Sequence, residues 1–114
     1  MSAARLRSDF WVSAYIRRCA VQDVVAVLRR RGAAEAGAIF VRLDCLDGTA
    51  RLFGPAPQSL VAEDDGVRRF IEIPLPDNTP LAAEEKLRRE MNFDGDLWIV
   101  EVEDRAGRHF LDLA

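Results

Sequence analysis

Carboxylates and a single imidazole gather in the last fifth of the chain. Aspartate and histidine side chains of this kind can ligate Mg²⁺ or Mn²⁺, so one hypothesis is a small metal-dependent enzyme that uses the region from Asp94 to Asp104. The spacing of the acids matches no metal motif, and Asp94-Gly95-Asp96 is typical of a turn whose carboxylates bond nearby backbone amides. The acids and the imidazole are Asp94, Asp96, Glu101, Glu103, Asp104 and His109.

Other catalytic patterns are absent from the sequence. His109 is the only histidine, which excludes a metal site built on paired histidines. The serines stand in no GxSxG context, and the scattered glycines form neither a P-loop nor a dinucleotide fingerprint. The sequence therefore predicts no metal site and no cofactor, names no catalytic residue, and favours a protein that is not an enzyme.

Arginines concentrate in the first third of the chain, close to aromatic residues. Arg17, Arg18 and the run 29–31 could bind phosphates, while Trp11 and Tyr15 could stack on bases. Nucleic-acid binding is accordingly an alternative hypothesis. The overall pI of about 5.2 argues against it, because nucleic-acid-binding domains are usually basic.

The charge is distributed unevenly along the chain. Residues 1–42 carry eight arginines and three acids, a net +5, whereas residues 43–114 carry eight basic and sixteen acidic residues, a net −8. Such asymmetry either marks a partner-binding surface or is paired internally, and the second interpretation is favoured. Without a catalytic motif, the best hypothesis is a non-catalytic accessory or protein-binding module, whose partner is another protein or a second copy of the chain. The candidate binding residues are Phe10, Trp11, Tyr15, Arg17, Arg18, Asp94 and Asp96.

Composition and cysteine usage indicate a cytoplasmic setting. Residues are 49% hydrophobic and 31% charged, and the apolar runs are far shorter than the roughly 20 residues that a membrane-spanning helix needs. The segment from Met1 to Asp9 is followed by no apolar stretch with a cleavage site, which argues against a signal peptide. Cys19 and Cys45 have apolar neighbours and are predicted to be buried free thiols in a reducing compartment.

The first third of the chain predicts a helix and one ambiguous element. Val12, Tyr15 and Cys19 recur at helical spacing, and Ser8 could cap this helix through its hydroxyl. The segment Val24–Arg31 is dense in β-branched residues and suggests a strand. A helix closed by Gly32 at its C-terminus is an alternative that the sequence leaves open.

Turn residues divide the rest of the chain into strands and one further helix. Asp47-Gly48 predicts a hairpin between strands at 38–43 and 50–53. A strand is predicted at 67–73, and Thr79-Pro80 then starts a helix, since threonine caps and proline suits the first helical position. The buried face of this helix is predicted to consist of Ala83, Leu87 and Met91. Its solvent-exposed face could form the ion pairs Glu84–Arg88 and Glu85–Arg89. The last strand is predicted at 97–102, with Trp98, Val100 and Val102 on one face.

The predicted order is therefore helix, four strands, helix and strand. Tight turns between consecutive strands predict an α+β fold with a mainly antiparallel sheet of about five strands. Two amphipathic helices would cover one face of this sheet. A length of 114 residues fits one domain spanning 1–114.

Three segments resemble a family of short bacterial proteins of unknown function, found mainly in alphaproteobacteria. The first segment is 10–14, the second is 35–41, and the third and most characteristic is 93–103, where Gly95 stands in place of the proline usual in relatives. The resemblance extends from about Leu6 to Leu113. It implies an α+β fold and a cytoplasmic setting, and it implies no activity, substrate or catalytic residue.

Overall fold

The computed structural model describes residues 5–60 and 65–114, so the first four residues of the N-terminal segment lie outside the described part. It contains the predicted order of two long helices and five strands. A short 3-10 turn, Gln58–Leu60, lies between β3 and β4. The elements are α1 (Ser8–Val21), β1 (Val25–Arg30), β2 (Ile39–Asp44), β3 (Ala50–Pro55), β4 (Phe70–Glu72), α2 (Pro80–Phe93) and β5 (Trp98–Glu103).

The five strands form one sheet in the order β1-β5-β2-β3-β4. Three of the four strand pairs are antiparallel, as predicted, and the hairpin at Gly48 joins β2 to β3. The remaining pair, β2 with β5, is parallel, with Ile39 opposite Trp98 and Asp44 opposite Glu103. β5 therefore lies between β1 and β2. Turn residues in the sequence do not predict this strand order, because a turn determines only how two consecutive strands are connected.

The ambiguous segment Val24–Arg31 is a strand. β1 lies at the edge of the sheet and pairs with β5 from Val25 opposite Glu103 to Leu28 opposite Val100. A bulge between Leu28 and Arg30 then shifts the register. The predicted strand at 67–73 is shorter than expected, because only Phe70–Glu72 pairs with β3.

The two helices cover opposite faces of the sheet, whereas the sequence predicted cover on one face. α1 packs on one face through Val12, Tyr15 and Cys19. α2 packs on the other face through Leu87, against Phe40. The reason lies in the central strands, whose residues are buried on both sides: in β2, Ile39, Val41 and Leu43 face α1 while Phe40 faces α2. A strand with two apolar faces needs a layer on each side.

The starts of the two helices differ in how they follow the prediction. The Thr79 hydroxyl accepts a hydrogen bond from the Ala82 amide at 3.2 Å, which confirms the predicted cap of α2. Ser8 does not cap α1: it is the first helical residue, and its buried hydroxyl donates 2.7 Å to the carbonyl of Gly37. Ser8 thus anchors α1 to the loop before β2. Neither helix of the described residues is long and apolar enough to cross a membrane.

Candidate binding site on the first helix

A pocket of about 130 Å³ opens between α1 and the C-terminal tail. Its helical wall consists of residues three or four positions apart, so they share the face of α1 that lies towards the tail. Three of the predicted binding residues, Trp11, Tyr15 and Arg18, are brought together there. The full lining is Trp11, Ala14, Tyr15, Arg18, Phe110 and Asp112.

The tail is held in place by hydrogen bonds from both side chains and backbone groups. The Tyr15 hydroxyl donates 2.7 Å to the carbonyl of His109, which links α1 to the tail. The amide of Leu111 donates 3.0 Å to His109 Nδ1, and the amide of Phe70 donates 2.9 Å to the carbonyl of Asp112. Phe110 has a φ of +55°. These contacts place Phe110 and Asp112 opposite the helix.

The aromatic wall of the pocket is rigid because its rings pack on each other and on the core. Trp11 and Tyr15 stack with their ring centroids 4.9 Å apart and their planes 14° from parallel. Trp11 also contacts Phe70 at 5.2 Å between centroids. Burial raises the pKa of the Tyr15 hydroxyl, which therefore remains a neutral hydrogen-bond donor at physiological pH.

Charges of both signs stand at the mouth of the pocket. The guanidinium of Arg18 lies 5.7 Å from the ring centroid of Phe110. The guanidinium of Arg108 lies 6.0 Å from the same centroid. Asp112 supplies a carboxylate among the lining residues. Both Arg18 and Asp112 are exposed, so a bound group could meet a cation and an anion beside an apolar wall.

The remaining candidates lie elsewhere. Phe10 and Arg17 are exposed on α1 outside the pocket lining, and Arg7 covers the Phe10 ring at 5.3 Å from its centroid. Asp94 and Asp96 lie in the loop between α2 and β5. There the Asp96 amide donates 2.8 Å to Asp94 Oδ1, the turn geometry that the sequence favoured.

The acidic region does not assemble into a metal site. Within residues 5–60 and 65–114, no group of three or more His, Cys, Asp and Glu side chains is placed to hold a metal ion. Glu101 accepts a hydrogen bond of 3.0 Å from Arg29, and Asp104 accepts 3.0 Å from Arg108. These carboxylates pair with arginines within the fold.

Two arginines of the first third, Arg29 and Arg30, are held by contacts within the fold. Arg29 bonds Glu84 and Glu101, which supports the interpretation that part of the charge asymmetry is paired internally. Arg30 donates to the carbonyls of Leu97 and Gly95, at 2.6 and 2.9 Å. The sequence predicted that Glu84 pairs with Arg88 on α2. In the structure Glu84 forms ion pairs with Arg29 and Arg42, because the neighbouring strands bring their guanidinium groups closer.

Comparison with known proteins identifies the family. A family model described as a protein of unknown function, DUF1491, matches residues 6–112. The chain belongs to the DUF1491 family. This confirms the resemblance drawn from the three sequence segments, and it assigns no activity.

Solved DUF1491-like structures share the whole fold. One is a crystal structure of a DUF1491 family protein from Caulobacter crescentus, whose sequence is 36% identical to this chain. The alignment covers 96% of this chain and 97% of the Caulobacter chain, with a TM-score of 0.79. Another is a solution structure of a protein from A. tumefaciens, whose sequence is 41% identical to this chain. The alignment covers 96% of this chain and 95% of the A. tumefaciens chain, with a TM-score of 0.81. Both sources are alphaproteobacteria, as the resemblance implied. No curated protein matches the chain.

Three pocket residues were missed by sequence reasoning. Phe110 and Asp112 follow a turn near the C-terminus, and nothing local links them to a helix that ends at Val21. Ala14 carries no functional group that a motif could flag. Contacts between distant segments, such as the hydrogen bonds from Tyr15 to His109 and from Phe70 to Asp112, bring the tail residues to the site.

Proposed function

We propose that this protein is a non-catalytic protein-binding module whose pocket on α1 receives one side chain of a partner protein. The single observation that carries the proposal is the pocket itself, in which Trp11, Tyr15 and Phe110 stand beside Arg18. Aromatic residues and arginine are the types that contribute most binding energy at protein interfaces.

The size of the pocket supports a side chain rather than a metabolite. Small-molecule sites usually enclose about 300 to 1,000 Å³, whereas this pocket holds about 130 Å³. An apolar or aromatic side chain would fill it, and polar groups of the same partner would meet Arg18 and Asp112 at the mouth. Because the tail and the rings are already ordered by internal contacts, little conformational entropy is lost on binding.

A capture experiment with matched variants tests the proposal. The tagged full-length chain is used to retain proteins from native lysate of the source bacterium, with and without nuclease. Ala14→Arg places a long side chain in the pocket mouth without removing any packed ring. Ala20→Arg is the control, since Ala20 is exposed on the same helix and does not line the pocket.

The expected result is a nuclease-resistant protein partner that the wild type and Ala20→Arg retain and Ala14→Arg loses. Equal retention by all three chains would refute the pocket as the site. Retention that nuclease abolishes, and that Arg17→Ala with Arg18→Ala weakens, would favour nucleic-acid binding instead.

We also propose that the protein works in the cytoplasm. Both cysteines are free, and Cys19 is fully buried while Cys45 is half-buried. Free thiols suit a reducing compartment. Fractionation of the source bacterium, followed by immunodetection, tests this location, and recovery from the periplasm would contradict it.

A further inference from the structure

The edge strand β1 has an apolar and accessible outer side. Among residues 5–60 and 65–114, β1 pairs with β5 alone. The exposed fractions of Val25, Val27 and Leu28 are 56%, 49% and 41%. Backbone groups along such an edge are available to another strand. We propose that β1 pairs in antiparallel orientation with β1 of a second copy of this chain, which joins two five-stranded sheets into one.

The other edge of the sheet is built differently. β4 has only three residues, and Leu113 of the tail forms a bridge with Phe70. The Ala114 amide donates 2.9 Å to the Phe70 carbonyl, so the tail occupies that edge. The first four residues of β1, Val25–Leu28, carry neither a charge nor a proline, the features that usually protect an exposed edge. Its bulge begins only after Leu28 and leaves the valine segment regular.

Charge complementarity selects a second copy as the occupant and sets its direction. The start of β1 is acidic, because exposed Asp23 precedes it and exposed Glu103 lies opposite Val25 on β5. The end of β1 is basic: Arg29 is paired with Glu84 and Glu101, but Arg30 donates only to backbone carbonyls and Arg31 lies over the Trp98 ring, so both keep their positive charge. Antiparallel self-pairing places the acidic start of each copy beside the basic end of the other, whereas parallel pairing would set like charges together.

The alternation of side chains restricts the register. Residues directly opposite each other in a sheet point to the same face. A two-fold axis through Ala26 sets Val25 of each copy against Val27 of the other, so exposed β-branched side chains contact each other. The same register brings the acidic start of each copy towards the arginine end of the other. The pocket stays open, because it lies towards β4, where Trp11 packs on Phe70.

Sedimentation of the full-length chain from about 1 µM to about 500 µM, at low salt, tests the pairing. Val27→Lys places a charge on the proposed seam, and Val25→Lys is the second seam variant in case the first fails to fold. Val21→Lys is the matched control, since Val21 is 73% exposed but lies on α1. Hydrogen exchange of the amides of Val25–Leu28 is measured at both ends of the concentration range.

The expected result is a dimer that either seam variant weakens at least about tenfold while Val21→Lys dimerises like the wild type. Protection of alternate β1 amides should rise with concentration, and Asp23→Arg should weaken the dimer because it opposes the arginine end. A wild type that is monomeric at the highest concentration would overturn the proposal. So would a dimer that both seam variants leave intact. Ala14→Arg dimerises normally, which keeps this test separate from that of the pocket.

Discussion

The hydroxyl of Tyr15 donates a hydrogen bond of 2.7 Å to the carbonyl oxygen of His109, across 94 positions of the chain. This contact connects the buried side of α1 to the C-terminal tail. It sets the position of the tail that carries Phe110 and Asp112, the wall of the pocket opposite the helix. The stability of the fold and the shape of the candidate site therefore depend on the same bond.

Tyr15→Phe removes this hydroxyl and leaves the His109 carbonyl without its donor. We expect the free energy of unfolding to fall by about 1 kcal/mol, the usual worth of an internal hydrogen bond. Urea denaturation followed by tryptophan fluorescence measures the change. Ser13→Ala, an exposed position on α1, is the control and should stay within about 0.5 kcal/mol of the wild type. Equal midpoints for Tyr15→Phe and the wild type would show that the bond contributes nothing.

Arg29 connects the edge strand to α2 and to β5. Its guanidinium donates 2.6 Å to Glu84 and 3.0 Å to Glu101, and this contact lowers the pKa of Glu84. A double-mutant cycle of Arg29→Gln and Glu84→Gln should give a coupling energy of about 1 kcal/mol that decreases in 1 M NaCl. The contribution is present above the unfolded pKa of glutamate and is lost as the pH falls through the lower folded value.

The matched control for this cycle is the pair Lys86 and Glu90, one turn apart on α2 at 3.2 Å. A single helical pair of this kind is worth about 0.3 to 0.5 kcal/mol. We expect its coupling to be the smaller of the two, because Arg29 joins a network of two carboxylates. Equal coupling energies in the two cycles would contradict the importance of the network.

His109 makes stability depend on pH near neutrality. Burial, followed by the charge of Arg51, lowers the pKa of the imidazole, and its Nδ1 accepts a hydrogen bond from the Leu111 amide. The folded state therefore binds fewer protons than the unfolded chain just below pH 6.5, the unfolded value. The stabilisation is complete above that pH and is lost as the pH falls through the lower folded pKa.

His109→Asn tests this dependence, because its amide oxygen can accept the same hydrogen bond and does not titrate. Between about pH 7.5 and about pH 5.5, a range that spans the histidine titration, the variant should lose less stability than the wild type. Thermal unfolding at each pH measures the difference. Parallel pH profiles for the two proteins would rule out His109 as the source.

Gly32 has no room for a side chain. A Cβ at this position would clash with the carbonyl oxygen of Asp96, a backbone atom rather than the end of a flexible side chain. Gly32→Ala should therefore destabilise the fold by about 3 kcal/mol, the cost of severe overpacking. Gly95→Ala is the matched control, since its Cβ meets nothing within 4 Å. The control should leave stability unchanged or raise it by about 0.5 kcal/mol. Equal urea midpoints for the two variants would disprove the close approach.

Local signals in the sequence determined most of the elements. Thr79-Pro80 predicts the start of α2, and Asp47-Gly48 predicts the hairpin, because capping and turn conformations depend on residues within a few positions. The burial of Trp98, Val100 and Val102 on one face follows from the two-residue period of a strand. The turn at Asp94 and Asp96 was likewise recognisable from residue types alone.

Non-local packing decided the rest. Ser8 has the residue type of a cap, yet its hydroxyl bonds Gly37, because the loop before β2 approaches the start of α1. The density of β-branched residues favoured a strand over a helix at Val24–Arg31. Its pairing with β5 is what settled the question, since backbone hydrogen bonds to a distant strand complete the element.

The sequence by itself determined that the chain forms an α+β fold, and its own residues pointed to α1 as a candidate surface through Trp11, Tyr15 and Arg18. Only the tertiary structure decided that β5 lies parallel to β2, that the helices cover opposite faces, and that Phe110 completes the pocket. The physical reason is the range of the interactions. Propensity, caps and turns act over a few residues, whereas strand order and pocket walls depend on contacts between segments far apart in the chain.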